Sequence, residues 1–293
     1  MVADAMRRQG IEDPLAYIKT NPAQFGEIVV RPVDRRENYV KRVIGLPGDR
    51  LKIQSDTIFI NGNAIGFADN VQFNYLIPVS GTISDDRWKE LGVRAEDHGA
   101  APVDGTEIAG LGYRFYTVPL TQAMKKEVET WPEVLGPLVK ENESGIYDTG
   151  NVWPLGTDWR WTRSDTDEFW IPKRGKTLHL TLQNLPLYRR AIETYEGNTV
   201  EVKNGKIYVN GVDNPYYTFR MDYFWMMGDN RDRSLDSRYF GLVPEDHVVG
   251  TPFRILISID EERGLLESGK IRWNRILANP NPDKAQSEEK HWK

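Results

Sequence analysis

Cysteine is absent from the 293 residues. That excludes disulfides, thiolate zinc sites and cysteine nucleophiles, without fixing a compartment. Histidine is scarce. His98, His179, His247 and His291 lie far apart, and no two share a metal-ligand spacing. No apolar run approaches the roughly 18–20 residues of a membrane-spanning helix. The charged, apolar and small-residue regions of a secretory signal are missing as well. Residues 1–40 contain no serine, and their single aliphatic hydroxyl is Thr20. There is no basic excess either: the net charge is −5, so nothing in the balance attracts nucleic acid.

What is present is aromatic. Nine Trp, thirteen Tyr and ten Phe favour a β-rich core, because aromatic rings fit pleated surfaces. The length suits one large or two ordinary domains.

One stretch organises the chain: Tyr39-Val40-Lys41-Arg42-Val43-Ile44-Gly45-Leu46-Pro47-Gly48-Asp49. β-Branched and aromatic residues predict a strand over 39–44, stopped by Gly45, Pro47 and Gly48. Alternation puts Lys41 on the face of Tyr39 and Val43. A lysine among apolar groups loses hydration of its charged form, and its pKa falls. By that route a lysine can act as base beside a serine nucleophile. The plainer alternative is a strand lysine that snorkels to water.

A second stretch, Gly228-Asp229-Asn230-Arg231-Asp232-Arg233-Ser234-Leu235-Asp236-Ser237-Arg238-Tyr239-Phe240-Gly241, follows an apolar strand at Tyr223–Met227. Half of it is Asp, Asn or Arg, hemmed in by hydrophobic sequence. Such density at a strand end marks a hydrogen-bonded loop, and sometimes a site. Ser234, Asp236 and Arg238 share one parity. In an extended segment they share one face, where Asp236 and Arg238 can pair and hold Ser234.

Together, YVKRVIGLPGD (39–49) and GDNRDRSLDSRYFG (228–241), followed by Val243-Pro244, resemble type I signal peptidases, the membrane-bound serine proteases with a Ser/Lys dyad. The resemblance covers roughly residues 23–66 and 195–260 closely and the middle loosely. GEIVVRPVDRRENYVKR (26–42) and the long interval between the motifs look most like the forms of the Bacteroidetes group. The implied fold is mainly β, a coiled antiparallel β-sheet catalytic core with a large mixed β/α insertion. The implied units are a helical remnant at 1–22, a discontinuous core at 23–66 and 197–262, an inserted domain at 67–196, and a C-terminal amphipathic stretch with a disordered tail at 263–293.

The resemblance also implies roles. Lys41 matches the general base and Ser234 the hydroxyl that orients it. Asp236 and Arg238 match a supporting ion pair, and Asp229 is expected to pair with Arg42. Tyr39 and Val40 match residues flanking a groove whose shallow pockets accept small side chains. The implied reaction removes signal peptides from exported pre-proteins at the outer face of the cytoplasmic membrane, through an acyl-enzyme on serine. It needs no metal and no organic cofactor. The family's nucleophile lies upstream of the lysine stretch, in a Ser-Met-x-Pro-like motif after a membrane anchor. Neither appears here, so the expectation is a chain lacking that N-terminal portion and inactive by itself.

Three rivals remain. A serine-less module of the same fold could hold an extended peptide by strand addition. Self-cleaving repressors of the DNA-damage response also use a Ser/Lys pair, but they end soon after the lysine strand. A carbohydrate binder would rest on Trp153, Trp159, Trp161 and Trp170, read as an exposed patch and not as core aromatics.

Along the rest of the chain, helices are expected at 3–9, 13–19, 85–91, 121–130 and 185–195. Strands are expected at 27–33, 51–53, 57–60, 71–83, 114–118 and 177–182, and loop at 95–112. The runs 49–62 and 198–211 repeat a pattern of strand, turn, strand and Asn-Gly, a strong turn signal. Residues 248–250 and 253–259 read as the last core strands. Residues 270–277 read as a basic amphipathic stretch, able to touch an anionic membrane surface or to pack on the fold.

Overall fold

The computed structural model describes residues 14–26, 38–99, 101–104, 114–141, 152–154, 159–260, 263–264 and 268–280. The helix expected at 3–9 and the strand expected at 27–33 lie outside them. Two short helices come first, α1 (Pro14–Thr20) and α2 (Pro22–Phe25). The strand of the lysine stretch is β1 (Arg42–Gly45). It is shorter than the pattern 39–44 predicts. Its partner strand, Tyr223–Met227, ends before Gly228, so the ladder stops at the Arg42–Met227 pair.

Next comes a meander, β2 (Arg50–Gln54), β3 (Thr57–Ile60) and β4 (Asn63–Ile65). After it come β5 (Phe73–Val79), α3 (Asp85–Leu91), α4 (Ala95–His98), β6 (Val103–Asp104) and β7 (Arg114–Leu120). The segment 95–112, read as loop, thus carries a helical turn and a short strand. Helix α5 (Gln122–Val128) starts on Thr121, whose hydroxyl accepts from Met124 N at 3.2 Å, the capping expected there. Then β8 (Val139–Lys140), β9 (Thr166–Trp170), β10 (Thr177–His179) and α6 (Leu185–Arg190) follow. A π-helical turn extends α6 over Ala191–Tyr195.

A second meander is formed by β11 (Val200–Lys203), β12 (Lys206–Val209) and β13 (Val212–Asp213). After β14 (Tyr216–Thr218) comes β15 (Tyr223–Met227), then α7 (Ser237–Phe240) and β16 (Val243–Pro244). Among the described residues the strand ladders are all antiparallel: β4-β3-β2-β9, β6-β7-β5-β8, β1-β15-β16, β11-β12-β13 and β10-β14. The fold is mainly β, as the sequence leads one to expect.

The repeated pattern becomes repeated geometry. Asn61 and Asn210 both adopt positive φ, at 51° and 52°, each followed by a left-handed glycine. Asn61 Oδ1 accepts from Arg50 N and Asn210 Oδ1 from Thr199 N, both at 2.9 Å. Asparagine tolerates this backbone and ties it with its own side chain.

Two hydrophobic clusters form. One gathers Leu51, Ile53, Ile58, Trp153, Trp161, Phe169, Ile171, Tyr223, Trp225 and their neighbours. The other gathers buried residues between Val71 and Leu138 around Trp88 and β5. Of the two readings of the four tryptophans, exposed patch or core aromatics of a β layer, the structure bears out the core: they belong to the first cluster. Trp153 and Trp161 are buried, and Trp159 and Trp170 pack against the cluster. Trp153 meets Trp161, Phe169 and Trp225 at ring separations of 5.5–5.7 Å. Rings of this size bury most surface when they pack on one another, so they fill the core.

The expected last core strands are corrected. Residues 248–257 hold no strand, and Val249, Phe253, Leu256 and Ile257 are 82, 77, 75 and 67% exposed. A β-branched, aromatic run gives the strand signal, but ladder formation also needs a partner. Here the only partner among the described residues is 270–278. It supplies an Ile259–Ile271 bridge and the bonds Leu277 N to Ile255 O (2.7 Å) and Ile255 N to Ala278 O (3.0 Å). Within it lies a 3₁₀ turn at Trp273–Arg275.

Candidate active site

The site is built by the β1–β15 pairing. Arg42 faces Met227 and Val43 faces Met226, so Lys41 lies one step further, beside Gly228. There β15 ends and the polar loop begins. Lys41 is half-buried, and its Nζ donates to Ser234 Oγ at 2.8 Å. Gly228 makes this approach possible. A Cβ at that position would stand 2.1 Å from Ser234 Oγ, 2.5 Å from Ser234 Cβ and 3.4 Å from Lys41 Nζ. Any side chain there would displace the hydroxyl.

The base of the loop is closed by Asp236. Its Oδ2 accepts from Gly228 N at 3.0 Å, and its Oδ1 accepts from Arg238 N at 3.1 Å, capping α7. Arg238 donates back through Nε at 2.9 Å and Nη2 at 2.8 Å. Both side chains are essentially sealed from water. Burial works against the Arg238 charge, but the Asp236 bonds and charge more than offset it, so its pKa lies above the ordinary value. The extended-strand parity of 234, 236 and 238 is not what joins these residues. Asp236 and Arg238 meet by wrapping the first turn of a helix, which exchanges a shared face for an N-cap.

Arg42 binds Asp229 in bidentate fashion, at 2.9 and 3.0 Å, and Arg42 Nη2 reaches Asn70 Oδ1 at 3.2 Å. Asn70 also donates to Asp229. Burial raises the Asp229 pKa, but the hydrogen bonds and charge of Arg42, with Asn70, overcome that and hold it below the usual value. Asp232 differs. Its carboxyl is buried, its Oδ2 accepts from Asn74 N at 2.7 Å, and Arg163 Nε stands 3.4 Å from Oδ1. That pairing is too long to offset burial, and the Asp232 pKa is raised. Arg231 lies buried near Arg238 and Phe67. Burial, then the Arg238 charge, brings its pKa down to about 10.

Tyr39 and Val40 stand at the open side, each 76% exposed, with the Tyr39 ring 6.0 Å from Lys41 Nζ. The structure therefore brings Lys41, Arg42, Asp229, Ser234, Asp236 and Arg238 together, with Tyr39 and Val40 at the rim. Asn70, Gly228 and Asp232 were not singled out from the sequence. Asn70 lies outside both motifs, and only the Lys41–Gly228 register reveals why position 228 is glycine.

Residues 5–102 and 218–257 match the family model described as signal peptidase, peptidase S26. This chain is similar to signal peptidases I. It is 53% identical over 275 residues to signal peptidase I of Buchnera aphidicola subsp. Acyrthosiphon pisum, covering 91% of this chain and 65% of that protein. Over 53 residues it is 47% identical to signal peptidase I of Buchnera aphidicola subsp. Schizaphis graminum, covering 18 and 17% of the two chains. Over 44 residues it is 43% identical to signal peptidase IB of Staphylococcus aureus, covering 15 and 23%. The chain thus spans just under two thirds of the length of the first of these relatives. Both segments that build the site, 39–49 and 228–241, lie inside the matched residues.

Proposed function

We propose that this chain carries the general-base half of a type I signal peptidase, a serine endopeptidase that removes signal peptides from exported pre-proteins. The observation that carries this reading is the Lys41 Nζ–Ser234 Oγ hydrogen bond of 2.8 Å between segments 193 residues apart. In this reading Lys41 is the base, and Ser234 accepts from its amine and aims the nitrogen lone pair after deprotonation. Asp236 and Arg238 hold the Ser234 loop, while Asp229 holds Arg42 next to the base. Tyr39 and Val40 flank the peptide. A lysine base activates a hydroxyl held within hydrogen-bond reach. Ser234 is nearly enclosed, which suits an orienting group better than a nucleophile that must meet a peptide carbonyl.

The nucleophile and its oxyanion donors are not assigned to any residue of these 293, so we expect no turnover from the chain by itself. The site would work at the extracytoplasmic face of the membrane; among the described residues no helix is long and apolar enough to cross one. We also read the chain as having a Bacteroidetes-like form, on the length of the interval between the two motifs. The domain division remains a proposal too: a core at 23–66 and 197–262 interrupted at 67–196. Its support is the second cluster at 71–138. Residues 152–196, however, pack with the first cluster.

A chimera tests the function. The anchor and serine segment of a signal peptidase I are joined ahead of residue 38, and pre-protein processing is measured. Processing that disappears with Lys41→Ala and falls with Ser234→Ala supports the reading. A folded, membrane-inserted chimera that processes nothing overturns it. A second reading, a peptide-holding module without catalysis, is favoured by the exposed 253–257 run. It predicts that a signal peptide binds the chain uncut.

A further inference from the structure

The outer half of the polar loop is gripped by the second hydrophobic unit. Gln72, just before β5, makes a parallel bridge to Asn230: Gln72 N donates to Asp229 O at 2.8 Å, and Arg231 N to Gln72 O at 2.9 Å. Asn74 N, on β5, donates to the Asp232 carboxyl. Arg233 reaches furthest. Its Nη1 donates to Asp97 Oδ1 at 2.6 Å, and its Nη2 to the Asp97 carbonyl at 3.1 Å. Asp97 lies on α4, with its side chain 12% exposed and braced by Arg94 Nε at 3.1 Å. Helix α4 is in turn pinned to the cluster, because His98 stacks on buried Trp88 at 5.4 Å and 19°.

Ser234 therefore stands between two anchors. On one side Asp236 closes the loop onto Gly228; on the other Asp97 holds the residue immediately before the serine. We propose that Asp97 is a positioning residue: through Arg233, it holds Ser234 against the Lys41 amine. The inference rests on the reading of Lys41 and Ser234 given above, and it gives part of the interval between the two motifs a task. The 71–138 unit is a brace for the loop that orients the base. A bidentate grip on side chain and carbonyl restricts Arg233 in both reach and rotation. Asp97→Ala removes the Nη1 half of that grip while the Asp97 carbonyl, Gln72 and Asn74 keep theirs, so local opening at Ser234 rises without unfolding the protein.

The test is trace acetylation of the folded chain, with Lys41 modification followed by mass spectrometry relative to the exposed Lys203. Ser234→Ala sets the scale by removing the hydrogen bond directly. Asp97→Ala is expected to raise the Lys41 rate about two- to fivefold, the range for a partly exposed ion pair. The Lys203 rate and the thermal midpoint should stay put. Asp97→Glu, which keeps the charge, should return most of the protection. If Ser234→Ala raises Lys41 labelling and Asp97→Ala does not, the positioning role of Asp97 is overturned and the Lys41–Ser234 reading stands. If neither variant changes Lys41 labelling, both fall.

Discussion

Lys41 touches its partner only because three neighbours are what they are. Gly228 leaves room, Asp236 closes the loop, and Arg238 neutralises Asp236 where no water reaches. Gly228→Ala puts a methyl where Ser234 Oγ now sits. We expect a loss of about 1–3 kcal/mol from overpacking, read from the urea midpoint, together with loss of Lys41 protection. Asp236→Ala strands a buried guanidinium, and breaking a buried pair costs about 3–5 kcal/mol. Should Asp236→Ala unfold at the wild-type urea concentration, the pair is not holding the loop. At this scale the sequence was informative where polar density is unusual, as in a loop half Asp, Asn and Arg; the apolar face expected around Lys41 does not form, because the strand begins only at Arg42 and Tyr39 and Val43 are 76 and 45% exposed. It was silent on Asn70 and Asp97, whose ties to the polar loop span 159 and 136 residues.

Among the elements, the loop 228–236 takes its shape from β1 and β5 as much as from itself. The Arg42–Asp229 pair is the clearest tie to β1. Asp229 titrates below the ordinary carboxylate value. Its ionised form is therefore favoured by the fold, and the stability it contributes is present above an unfolded pKa of about 3.9 and lost as pH falls through the folded value. The stability difference between wild type and Asp229→Asn should thus be full at pH 6 and shrink once the pH drops below about 4, in urea titrations at each pH. A difference that grows on acidification would contradict the pairing. The paired strands with their Asn-Gly turns and the Thr121 cap were legible, because local spacing dictates them; Asn184, also read as a cap, makes no capping bond. The segment 248–259 was not. Its composition signals a strand, but whether it joins a ladder depends on a partner that local sequence does not name.

For the molecule as a whole, aromatic content and alternation pointed to a β-rich fold, and the comparisons carry the likeness to signal peptidases I. Core packing of the tryptophans was legible too, but the division into two clusters joined through the polar loop was not, because it depends on long-range contacts. We propose that these residues supply a base and its support and not the attacking hydroxyl. The direct measurement incubates a purified pre-protein with the 293-residue chain and with its Lys41→Ala variant, following release of the signal peptide. The account predicts intact pre-protein in both. Processing by the unaltered chain that vanishes in Lys41→Ala would contradict it, and would mean that a nucleophile lies within these 293 residues.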